Sequence, residues 1–239
     1  MNGEGDAPER EERPKYRPGS RYSIFVGVAF LIVVVVATIN TFNTQEGGIL
    51  GADDDEAGMP LPEFAVPELL GSLEGDANVY QDDCETSQSP CPESEQRTPA
   101  CEIDPQGAIR ICDYFDRPLA LSFWFTRGAD CLPTQDAFDA LAREYGDRVN
   151  FVSINVRDDR DDARRIVTER GWEVPVGYDA DGAASNLYRV GVCPTVAFAY
   201  PGGILRVAKI GSEELTDEQM AAELDALIEE SRRRAAASR

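Results

Sequence analysis

The 239-residue chain contains no histidine. That absence excludes Ser-His and Cys-His nucleophilic sites, histidine-ligated zinc and the usual haem ligation. Basic residues are also scarce: 23 Lys and Arg stand against 44 Asp and Glu, a formal charge of −21. Binding by counterion release needs a basic footprint, so DNA and RNA are excluded as main partners. No two cysteines have Cys-x-x-Cys spacing, which removes the zinc ribbon and the common dithiol redox motif. Polar chemistry is left to carboxylates, arginines and thiols. Six cysteines, Cys84, Cys91, Cys101, Cys112, Cys131 and Cys193, make thiols the first place to look. An even number suits an oxidising compartment.

Residues 22–45 carry no charge, and the centre reads IFVGVAFLIVVVVATI. That length matches the ~20 residues a membrane-crossing helix needs. Arg10, Arg13, Lys15, Arg17 and Arg21 precede it, whereas the next basic residue after it is Arg97. The positive-inside bias predicts a single-pass anchor at 22–42, a cytoplasmic tail at 1–21 and an extracytoplasmic remainder. A cleaved signal peptide ending near Ala37 is the alternative. The Gly-, Asp- and Pro-rich stretch 43–62 reads as an acidic linker. The domain is expected at 63–231, with a Cys-containing insertion at 80–112 and a tail at 232–239.

Within that domain, 119–126 (LALSFWFT) is a continuous apolar run, as a buried strand would be. A helix is expected over 133–145, a strand over 149–156 and a helix over 161–169 closed by Gly171. A short strand at 175–178 and a short helix at 183–188 follow. Strands at 195–200 and 204–210 flank Pro201-Gly202-Gly203, a hairpin signal. Thr216-Asp-Glu-Gln219 is a capping box opening a helix with Met220, Leu224, Leu227 and Ile228 on one face. This order is that of an α/β domain with a mixed central sheet flanked by helices. Segments 102–104 and 108–112 are expected to form another hairpin, with Cys101 and Cys112 bridged across its ends. Cys84 and Cys91 either bridge locally, pinning a polar loop, or pair elsewhere. The acidic runs 53–56 and 158–162 lack an EF-hand pattern and read as solvated faces.

The order of elements, with LSFWFT at 121–126, DCLPTQDAF at 130–138, FVSINV at 151–156, VPVGYDADG at 174–182, GVCPTVAF at 191–198 and PGG at 201–203, resembles the thioredoxin-like superfamily. The similarity is to membrane-anchored TlpA/ResA-like thiol–disulfide oxidoreductases and related redoxins, and it covers roughly residues 63–230. In that family the first long strand ends in a Cys-x-x-Cys loop. Here Gly128 stands at the first cysteine and Cys131 at the second, so the motif is degenerate. The Gly-x-x-Pro-Thr proline, usually cis and lying against that loop, is matched by Pro194, and the residue before it is Cys193.

The resemblance implies that Cys131 and Cys193, far apart in sequence, meet in space as a redox couple. It implies contact with substrate at Pro194, Trp124 and Arg127; with no histidine and no EF-hand pattern, no metal or cofactor is expected. The expected partners are thiol- or disulfide-bearing envelope proteins, an upstream membrane or soluble thiol reductant and, through the anchor, the bilayer. The expected function is a membrane-tethered thiol–disulfide exchanger. Two alternatives stand beside it: a redoxin-type peroxidase, and a non-catalytic thioredoxin-shaped binding module with an inert Cys131–Cys193 disulfide.

Overall fold

A computed structural model of the chain describes residues 58–79, 98–104, 106–127 and 131–237, together with Val28, Phe30 and Leu31. Two units are distinguished, Met1–Gln45 and Glu46–Arg239. The second contains the domain.

Its frame is a five-stranded sheet. The strands in it are β4 (Leu119–Trp124), β5 (Asn150–Val156), β6 (Val176–Asp179), β7 (Thr195–Tyr200) and β8 (Ile204–Ile210), in the order β6-β5-β4-β7-β8. β4, β5 and β6 run parallel, while β7 is antiparallel to β4 and β8 to β7. β4 and β5 are buried along their whole lengths, because both faces of the sheet are covered. Alternation splits their side chains between two cores. Ala120, Trp124 and Phe151 join a core with Phe138 and Leu141 of helix α1 (Leu132–Tyr145) and Val167 of helix α2 (Arg160–Arg170). Met220, Leu224, Leu227 and Ile228 of helix α4 (Asp217–Ala237) complete it. Leu119, Leu121, Phe123, Val152 and Ile154 join the opposite core, with Ala184 of the short helix α3 (Ala183–Leu187).

The helix ends follow local chemistry. Asp159 accepts from the Asp161 and Asp162 amides at 3.0 and 3.1 Å, and Gly171 closes α2 at φ 67°. Thr216 Oγ1 accepts from Gln219 N at 3.3 Å while Gln219 Oε1 accepts from Thr216 N at 3.1 Å, the reciprocal capping box that starts α4.

A second, three-stranded sheet covers the opposite core. It has the order β2-β1-β3 and is built from β1 (Phe64–Pro67), β2 (Asn78–Val79) and β3 (Ala108–Arg110). Its β3 corrects the expected 102–112 hairpin. The strand pairs with β1, through Ala65↔Arg110, Val66↔Ile109 and Pro67↔Ala108, and not with the preceding segment. Ala100–Glu102 and Ile111–Tyr114 are 3-10 turns. The link back to the first of these turns is a side chain: Arg110 Nη1 donates to Cys101 O at 3.1 Å and Ile103 O at 3.0 Å. Its ladder groups are already used on β1.

The membrane anchor is also corrected. Among the described residues no helix is long and apolar enough to cross a membrane. Of residues 22–42 only Val28, Phe30 and Leu31 are described; they are helical, and the rest of the expected span lies outside the described residues. An uncharged apolar run reports that a stretch can partition into lipid. A span requires a continuous helix of ~20 residues, and hydropathy does not supply one. The membrane-anchored family assignment, the transmembrane part of the fold class and the single-pass topology with an extracytoplasmic domain therefore fall together. Residues 43–57 of the expected 43–62 linker, Cys84, Cys91 and the acidic run 53–56 also lie outside the described residues.

Candidate functional site

β4 carries the chain to Thr126, and α1 begins after Cys131. On the far side of β4, the antiparallel ladder with β7 pairs Leu119 with Ala199 and ends at Phe123↔Thr195. That register places the residues before Thr195 beside the end of β4. Cys193 Sγ accordingly lies 3.4 Å from the Phe125 carbonyl oxygen. Two bonds hold the turn that carries it: Thr195 Oγ1 donates to Val192 O at 2.6 Å, and Gly211 N donates to Pro194 O at 2.9 Å. The Cys193–Pro194 peptide is cis.

Cys131 and Cys193 form a disulfide with a Cα–Cα distance of 5.8 Å. That separation is inside the ~4.4–6.8 Å range of ordinary disulfides. Both residues are buried, at 1% and 3% exposure. Cys101 and Cys112 form a second disulfide, with Cα atoms 6.0 Å apart.

Behind the first disulfide lies a polar stripe on the α1 side of the sheet. Gln135, one turn along α1, donates its amide to Cys131 O at 3.0 Å, and its Oε1 accepts from Ser122 Oγ at 2.8 Å. Asp158 sits just past β5 and is 4% exposed. Its carboxylate accepts from Thr126 N and Thr126 Oγ1, both at 2.9 Å, and from Asn155 Nδ2 at 2.8 Å. The expectation of a solvated acidic face over 158–162 is thus corrected at its first residue. Asp158 is the side chain that pins Thr126 at the end of β4, and composition alone does not separate it from its exposed neighbours.

The residues expected to meet a substrate are placed differently from one another. Pro194 is buried beside the disulfide. Trp124 is fully buried, its ring edge-on to Trp172 at 5.1 Å between centroids. Arg127 is exposed and, with Phe125, Val156 and Arg157, lines a cleft next to the loop. Among the described residues neither Arg127 nor Arg157 forms an ion pair.

A mixed sheet of this order, with a disulfide joining the start of α1 to the residue before a cis proline at the head of β7, decides the architecture. The fold is thioredoxin-like. A DsbF homologue from Corynebacterium diphtheriae superposes with a TM-score of 0.52 at 19% identity, over 75% of this chain and 93% of that one. A structure assigned as the thiol:disulfide interchange protein DsbE of Chlorobium tepidum gives 0.50 at 17% identity, over 70% and 97%. In sequence, the chain is 26% identical over 103 residues, 43% of its length, to the thiol-disulfide oxidoreductase ResA of Oceanobacillus iheyensis. The match spans about half of that relative, 53% of its length. No protein-family profile matches the chain.

Proposed function

We propose that the thioredoxin-like domain is a thiol–disulfide oxidoreductase acting on disulfide- or thiol-bearing proteins through Cys131 and Cys193. The observation that carries this reading is the disulfide itself, which closes the start of α1 onto the cis-proline turn. In the reduced state the two thiols differ. Cys131 stands at the head of α1, where free backbone N–H groups and the helix dipole favour a thiolate. Cys193 faces the Phe125 carbonyl oxygen, which accepts a hydrogen bond from a thiol and repels a thiolate. Cys131 is therefore the attacking sulfur.

Its thiolate attacks one sulfur of the partner's disulfide, and the other partner sulfur leaves and takes up a proton. The Cys193 thiol then loses its proton and attacks Cys131 Sγ in the mixed disulfide. The second partner thiol is released as the Cys131–Cys193 bond closes. Two electrons have passed to the partner, and an upstream dithiol returns them. Arg127, beside the loop, is positioned to meet the partner's backbone or carboxylates.

The burial of both sulfurs favours a second reading, a thioredoxin-shaped binding module in which the disulfide only holds the loop. Dithiothreitol-driven reduction of insulin separates the two. Exchange predicts turnover above a protein-free blank that is lost in Cys131→Ser. Wild-type protein no faster than the blank would leave the binding module.

A further inference from the structure

Glu63, Cys101 and Cys112 converge beside the small sheet. A Glu63 carboxylate oxygen and the two Sγ atoms all lie within 4.8 Å of one another, and all three residues are half-buried. They come from three segments that are held by contacts other than the disulfide. Glu63 leads into β1, and the carbonyl before it, Pro62 O, accepts from Tyr188 Oη at 2.7 Å. Cys112 follows β3, which is laddered to β1. Cys101 lies in the turn gripped by Arg110, whose guanidinium is itself fixed by Asp113 at 2.8 and 3.0 Å. Opening the S–S bond therefore leaves the three ligand atoms facing one another.

The charge pattern points the same way. Among the described residues Glu63 forms no ion pair, and the guanidinium of Arg110, which grips the Cys101 turn, is paired with Asp113. The chain as a whole carries −21, which raises the local concentration of cations. Two thiolates and a carboxylate form a ligand set that zinc accepts, with a fourth position for water. The thiolates select against magnesium and calcium, which prefer all-oxygen sites.

We propose that Cys101, Cys112 and Glu63 bind Zn2+ when the Cys101–Cys112 disulfide is reduced, so that oxidation and metal occupancy exclude each other at this place. The expectation that the chain binds no metal rested on its missing histidines, and this donor set needs none. A phosphine reductant opens the bond: the disulfide takes up two electrons and two protons, and the phosphine, with water, becomes its oxide. Zinc binding then displaces the two thiol protons. The site is independent of the chemistry at Cys131 and Cys193.

The test is alkylation of the full chain after phosphine reduction, with and without zinc, read cysteine by cysteine by peptide mass spectrometry. Zinc should slow alkylation of Cys101 and Cys112 while leaving Cys131 and Cys193 unchanged. Glu63→Gln, which keeps all six cysteines, should reduce that protection by ~10-fold or more, since loss of even an outer-shell partner of a metal has effects of that size. In parallel, zinc retained on the reduced wild-type chain should approach one equivalent at this site and be released on reoxidation. Equal alkylation of Cys101 and Cys112 with and without zinc would overturn the proposal. Protection undiminished in Glu63→Gln would overturn the role of the carboxylate and with it the site as described.

Discussion

Asp158 holds Thr126 by both its amide and its hydroxyl, each at 2.9 Å, from a position almost closed to solvent. Thr126 is where β4 hands over to the loop that ends in Cys131. A buried carboxylate thus fixes the take-off angle of the segment that must bring one sulfur to the other.

Removing Asp158 should be felt at the disulfide. Asp158→Ala frees the exposed Thr126 amide to water but leaves the buried Asn155 Nδ2 without an acceptor, a loss of about 1–3 kcal/mol for a buried donor. Chemical denaturation should show that loss. Titration with dithiothreitol should also find Cys131–Cys193 more easily reduced than in the wild type. Asp158→Asn is isosteric, and reversal of the Thr126 hydroxyl can preserve the network, so this variant should recover most of both losses.

Gly177 should not tolerate a methyl group. A Cβ there would lie 2.5 Å from Val66 Cγ2 of β1 and 2.8 Å from Ile154 Cδ1 of β5, where the small sheet rests on the main one. Neither neighbour has room to retreat, since both are fully buried. Gly177→Ala is expected to destabilise the domain by about 1–3 kcal/mol, the usual range for overpacking. Urea unfolding monitored by tryptophan fluorescence measures it.

The C-terminal helix carries an acid-sensitive contact. The Arg206 hydrogen bonds, and then the one from Tyr200, pull the Glu230 carboxyl from 4.5 down to about 2. Its folded pKa is depressed, so its stabilisation is complete above 4.5, where the unfolded chain is also ionised. It fades as pH falls from there through about 2. Melting temperature followed against pH should show an acid limb in this window. Glu230→Gln should melt lower at neutral pH and show a shallower limb.

Much of the main sheet was legible from the sequence, because each of its elements announces itself locally. LALSFW is apolar but for Ser122, Pro201-Gly-Gly203 demands a turn, and Thr216 with Gln219 makes a cap. The small sheet was not legible. β1 has four residues and β2 two, too short for periodicity to register, and their partners lie far along the chain. The 102–112 hairpin failed for the same reason: a strand's own residues do not say which edge it will join. The meeting of Cys131 with Cys193 depends on the β4–β7 register, which the resemblance to a known fold implied and spacing alone did not. Asp158 was hidden in a run of five residues, 158–162, that read as one charged face. Burial picks out its first member, and only tertiary structure supplies burial.

The central claim is that Cys131–Cys193 is an exchanging couple and not a staple. Its reduction potential, measured by equilibration of the chain in defined dithiol redox buffers with alkylation and mass spectrometry at Cys131 and Cys193, tests that most directly. An exchanging couple should fall within the range of known oxidoreductases, between about −120 and −270 mV. A value below about −300 mV, where structural disulfides lie, would contradict the account.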